Sequence, residues 1–212
     1  VRPLGRALVA AVALSACAVP RVSLRQGPRV YTAAQYPEVL SRWTRTGHVY
    51  TLNTLDDQLV VTATYQSWDF RWAYVVRYAS DFRLPTQERT RLLDASLDAA
   101  QRGHEFYVAL YTQNRRWGEL TRPTSAWRVQ LVTDRRVEAS PTQIEPVDRP
   151  GALERTYFPY TTPWRQVFRV RFPRTVRVGA AEEELLTPTT KYFILRFSGP
   201  LGASDLVWHV ER

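Results

Sequence analysis

The stretch Trp164-Arg165-Gln166-Val167-Phe168-Arg169-Val170-Arg171-Phe172 alternates apolar and polar residues along its nine positions. A β-strand turns successive side chains to opposite faces, so Phe168, Val170 and Phe172 share a buried face while Arg165, Arg169 and Arg171 share a wet one. Such a strand belongs to an antiparallel sheet with one solvated side. The same period of two runs through Glu105 to Thr112 and Trp127 to Leu131. It returns in Tyr192 to Ser198, with Phe193, Leu195 and Phe197, and in Leu206 to Val210, with Leu206, Trp208 and Val210. Val137 to Val147 holds a further short strand whose Pro141 and Pro146 suit an edge. Turn residues fill the gaps: Pro123, Pro150-Gly151, Pro173, Pro188 and Gly199-Pro200-Leu201-Gly202. About seven short strands with such punctuation predict a mainly β chain, an immunoglobulin-like or transthyretin-like antiparallel β-sandwich.

Upstream the pattern differs. Gly47 to Asn53 and Gln58 to Gln66 are β-branched and aromatic runs joined by Thr54-Leu55-Asp56-Asp57, the composition of a hairpin with a longer turn. Asp56 and Asp57 lack the alternating oxygen donors of a calcium loop and read as turn residues. Ser67 is placed to cap a helix in which Trp68, Trp72, Val75, Ala79 and Phe82 form a stripe, with Arg71, Arg77, Asp81 and Arg83 on the solvated side. Past Leu84-Pro85 a second helix presents Leu92, Leu93, Ser96, Leu97 and Ala100, and Gly103 supplies its stop. The helical pair 67–103 is expected as an insertion or annex within one domain spanning 31–212, with a short helix near Pro37 to Trp43.

The chain has 212 residues, 44% hydrophobic and 23% charged, enough for one sizeable core. Its formal net charge is +9, almost all arginine, since Lys191 is the only lysine. Affinity for anionic headgroups, acidic glycans or wall polymers is one reading of that charge. The reading favoured here is a GC-rich coding sequence with arginines spread over solvated strand faces. No dense basic run marks a nucleic-acid partner. The chain starts at Val1 and contains no methionine, which suggests a valine start codon translated literally, so Val1 is taken as the start.

Arg2 and Arg6, with no acid, precede the apolar run Ala7 to Leu14, and the run ends in Ser15-Ala16-Cys17. The run is shorter than the ~20 residues that span a bilayer, so it reads as an export signal. Leu14-Ser15-Ala16-Cys17 resembles the lipobox of bacterial lipoproteins. The resemblance implies that residues 1–16 are removed and that Cys17, the only cysteine, becomes the acylated N-terminus. The competing reading is an ordinary secretory site at Ala16-Cys17-Ala18, releasing a soluble chain from Val19. With Ala18 in place of a retaining aspartate, the resemblance implies the outer membrane, facing the periplasm. Residues 17–30 are polar, basic and contain Pro and Gly, and are expected to be a flexible lipidated tether.

No nucleophile elbow, phosphate loop or two-histidine zinc motif occurs, and neither a metal nor a cofactor is implied. His48, His104 and His209 are scattered, and Glu105, Glu119 and Asp134 do not stand out from surface charge. The better candidates are recognition residues. Arg115, Arg116 and Trp117 lie in Asn114-Arg115-Arg116-Trp117-Gly118, and Tyr160 and Trp164 in the aromatic, proline-rich 157–164. Tryptophan and arginine commonly anchor interfaces and stack on sugars. The expected role is therefore non-catalytic docking of an envelope protein or cell-wall component. A glycan- or lipid-binding module is the first alternative and a hydrolase with an unrecognised site the second.

Overall fold

The computed structural model describes residues 20–50 and 57–211. The signal segment, Cys17 and the turn Thr54-Leu55-Asp56 lie outside the described residues. The chain is mainly β and antiparallel, a sandwich with a helical insertion. In order it forms β1 (Arg21–Val22), α1 (Tyr36–Trp43), β2 (Thr44–Tyr50), β3 (Asp57–Tyr65), α2 (Trp68–Asp81), α3 (Thr86–Arg102), β4 (Gly103–Tyr111) and β5 (Arg128–Thr133). Then follow β6 (Glu138–Ala139), β7 (Gln143–Pro146), α4 (Ala152–Tyr157), β8 (Gln166–Pro173), β9 (Thr175–Val178), β10 (Ala181–Glu184), β11 (Tyr192–Gly199) and β12 (Gly202–Val210).

One five-stranded sheet runs β1-β12-β11-β5-β6 and the other β2-β3-β4-β8-β7. Val137 to Val147 is not one strand. It splits into β6 on the edge of the first sheet and β7 on the edge of the second. Pro141, which cannot donate to a ladder, stands between the two and ends the first pairing. On the opposite flank β2 crosses close over β12, and a Cβ at Gly47 would run into Ser204 and Leu206. There the Arg45 guanidinium donates to the carbonyl of Val207 at 2.8 Å, and Trp208 Nε1 donates to the carbonyl of Trp43 at 3.0 Å.

Between the sheets lies an aromatic core. Trp208 stacks on Phe193 at 5.2 Å and meets Phe106 at 5.6 Å, while Tyr65 touches Phe193, Phe106 and Trp43. Phe168, Val170 and Phe172 point inward as their alternation predicts, and Arg169 and Arg171 remain half-exposed. In the second sheet the inner strands β3 and β4 are covered on both faces. Away from the core, Tyr107 stacks on Phe158 at 3.9 Å, and Phe158 and Tyr157 in turn meet Phe70 of α2 and Tyr36 of α1. The molecule is thus three layers: a sheet wet on its outer face, a middle sheet whose strands β3 and β4 are buried on both faces, and helices.

That middle position explains where the helix stripe departs from expectation. The buried residues of α2 include Phe70, Ala73, Val75, Val76 and Ala79, whereas Phe82 is half exposed. Arg71, expected in solvent, is buried and pairs with Glu105 of β4 at 3.1 Å. In α3 only Leu97 is fully buried, with Leu92, Leu93, Ser96 and Ala100 half-buried, because this helix is the outermost element of its layer. Gly103 has extended backbone and opens β4, pressed against the carbonyl of Phe172. Glu182-Glu183-Glu184 lies in β10, which pairs with β9; Arg135 holds Glu183 and Arg174 holds Glu184.

The segment read as a tether is docked wherever it is described. Arg21 and Val22 pair in parallel with His209 and Val210, and the side chains of Arg29 and Tyr31 reach Asp69. Truncating Trp208 to Ala opens a cavity between the sheets and should cost about 3–5 kcal/mol. Chemical denaturation of the wild type and Trp208→Ala checks this.

Candidate functional site

The two stretches singled out for recognition meet at one end of the middle sheet. After β4, Asn114 caps a single 3-10 turn, Arg115–Gly118: its side chain accepts from the Arg116 amide at 3.1 Å and its carbonyl from the Trp117 amide at 2.9 Å. The tight turn leaves Arg115 and Arg116 exposed and Trp117 half-buried. Gly118 is buried where a Cβ would collide with Gln166, Leu110 and Thr112. Glu119 then accepts a short hydrogen bond from the Gln166 side chain of β8. The Arg115 turn is therefore pinned to the start of β8, and the segment leading into β8 contains Trp164.

That segment divides sharply in direction. Tyr157 donates to Asp81 at 3.0 Å and Phe158 is buried on Tyr107. Tyr160, one of the candidate contact residues, is half-buried; its hydroxyl is hydrogen-bonded to Thr64 at 2.6 Å and near the carbonyl of Tyr107 at 3.3 Å. Burial pushes the Tyr160 phenol far above its ordinary range, so it stays a neutral packing group. Trp164 points the other way and is 80% exposed. The residues on either side of it, Pro163 and Arg165, line a cleft of about 120 Å³ whose other walls carry Arg115, Asp148, Arg155 and Gln166.

Three guanidinium groups thus surround one cleft together with two carboxylates, Asp148 and Glu119, the latter already engaged by Gln166. Arg165 donates to Thr62 at 2.8 Å, and burial lowers its pKa without discharging a group whose ordinary value is so high. Among the described residues Arg115, Arg155 and Arg165 enter no ion pair. Planar guanidiniums on a partly shielded wall suit bidentate recognition of a carboxylate or phosphate, with Trp164 beside them as an apolar anchor. Composition singled out Arg115 and Trp164. Arg155 and Asp148 carried no signal, because only the fold brings α4 and the loop after β7 to this place.

The three carboxylates weighed from the sequence have structural partners. Glu105 pairs with Arg71 and Arg171, Glu119 with Gln166, and Asp134 accepts from the Lys191 amide. His48 stacks on Tyr50, and His209 is exposed. Among the described residues no group of His, Cys, Asp and Glu is arranged to hold a metal ion, and no helix is long and apolar enough to cross a membrane. Compared with family models, curated proteins and solved structures, the chain matches none.

His104 is the residue whose burial the sequence did not reveal. It is 4% exposed on β4, its Nδ1 is hydrogen-bonded to the Tyr65 hydroxyl at 2.9 Å, and its Nε2 has no partner among the described residues. Burial, aided by Arg174 and opposed by Glu184, lowers its pKa to about 4 from an ordinary 6.5. The unfolded chain takes up this proton below pH 6.5 while the folded chain resists until about 4. Stability contributed by the neutral ring is therefore complete above pH 6.5 and is lost as pH falls toward 4, by roughly 3 kcal/mol in all. Replacing His104 with Phe should flatten the stability profile across that window, which urea melts at pH 4 to 7 measure directly.

Proposed function

We propose that this protein is a non-catalytic, lipid-anchored component of the bacterial envelope that docks an acidic segment of another envelope protein in the Arg115–Arg165 cleft. The anchor reading rests on the lipobox resemblance at Leu14-Ser15-Ala16-Cys17, and Ala18 favours the outer membrane with the sandwich facing the periplasm. The observation that carries the docking reading is the convergence of Arg115, Arg155 and Arg165, free of ion pairs among the described residues, beside a tryptophan that is 80% exposed. An acidic partner would supply the ion-pair partners that Arg115, Arg155 and Arg165 lack among the described residues, and burying Trp164 would add apolar area at the rim. Trp164 also supports a second reading, a glycan-binding module, because an exposed indole beside polar Thr162 can stack on a sugar ring. A hydrolase with an unrecognised site ranks third.

The test is capture of partners from detergent-solubilised envelopes with the wild type and with an Arg115→Glu, Arg116→Glu, Trp164→Ala variant. All three residues are exposed, so the variant should melt like the wild type. Docking predicts a stoichiometric protein partner that the variant loses by tenfold or more. A wild type that brings down muropeptide or lipid but no protein supports the module instead. A partner retained by the variant removes the cleft from the account, and turnover of ester, amide or glycoside substrates removes the non-catalytic reading.

A further inference from the structure

The arm that links Cys17 to the domain is held along its described residues, from Pro20 onward. Arg45 Nη2 donates to the carbonyl of Pro20 at 3.0 Å, and β1 pairs with β12 at Arg21 and Val22. The Glu211 amide donates to Val22 at 2.8 Å, and Trp68 Nε1 donates to Gly27 at 2.7 Å. Arg29 and Tyr31 then close on Asp69. Among the described residues the first clamped one is therefore Pro20, and Arg21 stands four positions after Cys17. At about 3.5 Å per residue, a fully extended link of that length reaches roughly 14 Å from Cys17 to Arg21. A free arm running to Val30 would have reached about three times as far.

From this, and resting on acylation of Cys17, we infer that the sandwich does not swing on a leash. It lies against the bilayer with the β1–β12 corner touching anionic phospholipid headgroups. The groups at that corner fit such a surface. Arg21 is exposed opposite His209, which is also exposed. Lys191 is exposed, and its carbonyl accepts from the Val210 amide; Arg25 is exposed further along the arm. Among the described residues none of Arg21, Arg25 and Lys191 enters an ion pair. Two acids stand beside these three cations: Glu211, which is exposed, and Asp134, which accepts from the Lys191 amide at 2.9 Å. Basic residues held this close to an anionic leaflet lie within the range over which its surface potential acts.

Neutron reflectometry on supported bilayers reads the water gap between headgroups and protein without labels. The protein purified from envelopes is first weighed. If Cys17 carries no acyl chains, the anchor reading fails on its own, and a chain beginning at Cys17 is coupled through that thiol to a maleimide phospholipid so that the gap is still measured. On neutral phosphatidylcholine the wild type should show no resolved gap. Twenty Gly/Ser residues inserted between Ala18 and Val19 should open one of about 25 Å. A wild-type gap equal to that of the inserted variant overturns the short-strut inference. On bilayers containing phosphatidylglycerol the inserted variant should close back onto the surface, and adding Arg21→Ser, Arg25→Ser and Lys191→Ser should restore its gap. An inserted variant that stands off equally from both bilayers overturns the headgroup contact.

Discussion

A single buried carboxylate ties the N-terminal arm, α1 and α2 together. Asp69, in the first turn of α2 and 7% exposed at its side chain, accepts from Trp43 Nε1 at 3.0 Å, from Tyr31 Oη at 2.5 Å and from Arg29 Nε at 3.1 Å, with Arg42 at 4.0 Å. Burying an ion is costly unless its lone pairs are filled, and these donors fill them from separate places: α1 and the N-terminal arm. The helix start adds its own favourable field. Burial, together with the hydrogen bond to Asp69, pushes the Tyr31 phenol up to about 12, so Tyr31 stays a neutral donor near neutral pH. Breaking a buried charged pair on one side typically costs about 3–5 kcal/mol. The arm, the α1 entry into β2 and the seating of α2 therefore stand or fall as one unit.

This constraint bears on function through position. If the arm were loose, a cleft at the far end of the middle sheet could sample a wide volume. Under the proposed anchoring at Cys17, a docked arm narrows the directions in which the Arg115–Arg165 cleft is presented. The cleft is rigid for its own reason: Gly118 sits flush on Gln166 and the aromatic run 157–160 is tied inward through Tyr160 and Thr64. Rigid presentation reduces what a partner must lose in ordering on binding.

Strands β8, β11 and β12 were legible because each has one face in a core and the other partly in water, so Phe168, Phe193 and Trp208 announce their side by alternation. The helix α2 was legible in extent but not in face. Asp69 and Arg71 are charged, and a local pattern sends charges outward; their burial depends on Arg29 and Glu105, far away in the chain. The arm was misread for the same reason. Its order comes from a two-residue strand and from side chains reaching Asp69 and Trp68, none of which leaves a period. Of the cleft, Arg115 and Trp164 were visible as unusual residues in polar loops. Tyr160 looked equivalent to Trp164 in composition, and only the hydrogen bond to Thr64 separates an inward ring from an outward one. Arg155 and Asp148 gained meaning only when β7, α4 and β8 came together.

The most direct test of the Asp69 knot is limited trypsin digestion of the intact protein. Arg21, Arg25 and Arg29 all lie in the arm and carry exposed or half-exposed side chains. A docked arm predicts that cleavage after these residues is at least tenfold slower in the wild type than in Asp69→Ala, with the rest of the domain resistant in both. Rapid removal of the arm from the wild type, at the rate seen in the variant, would contradict the account.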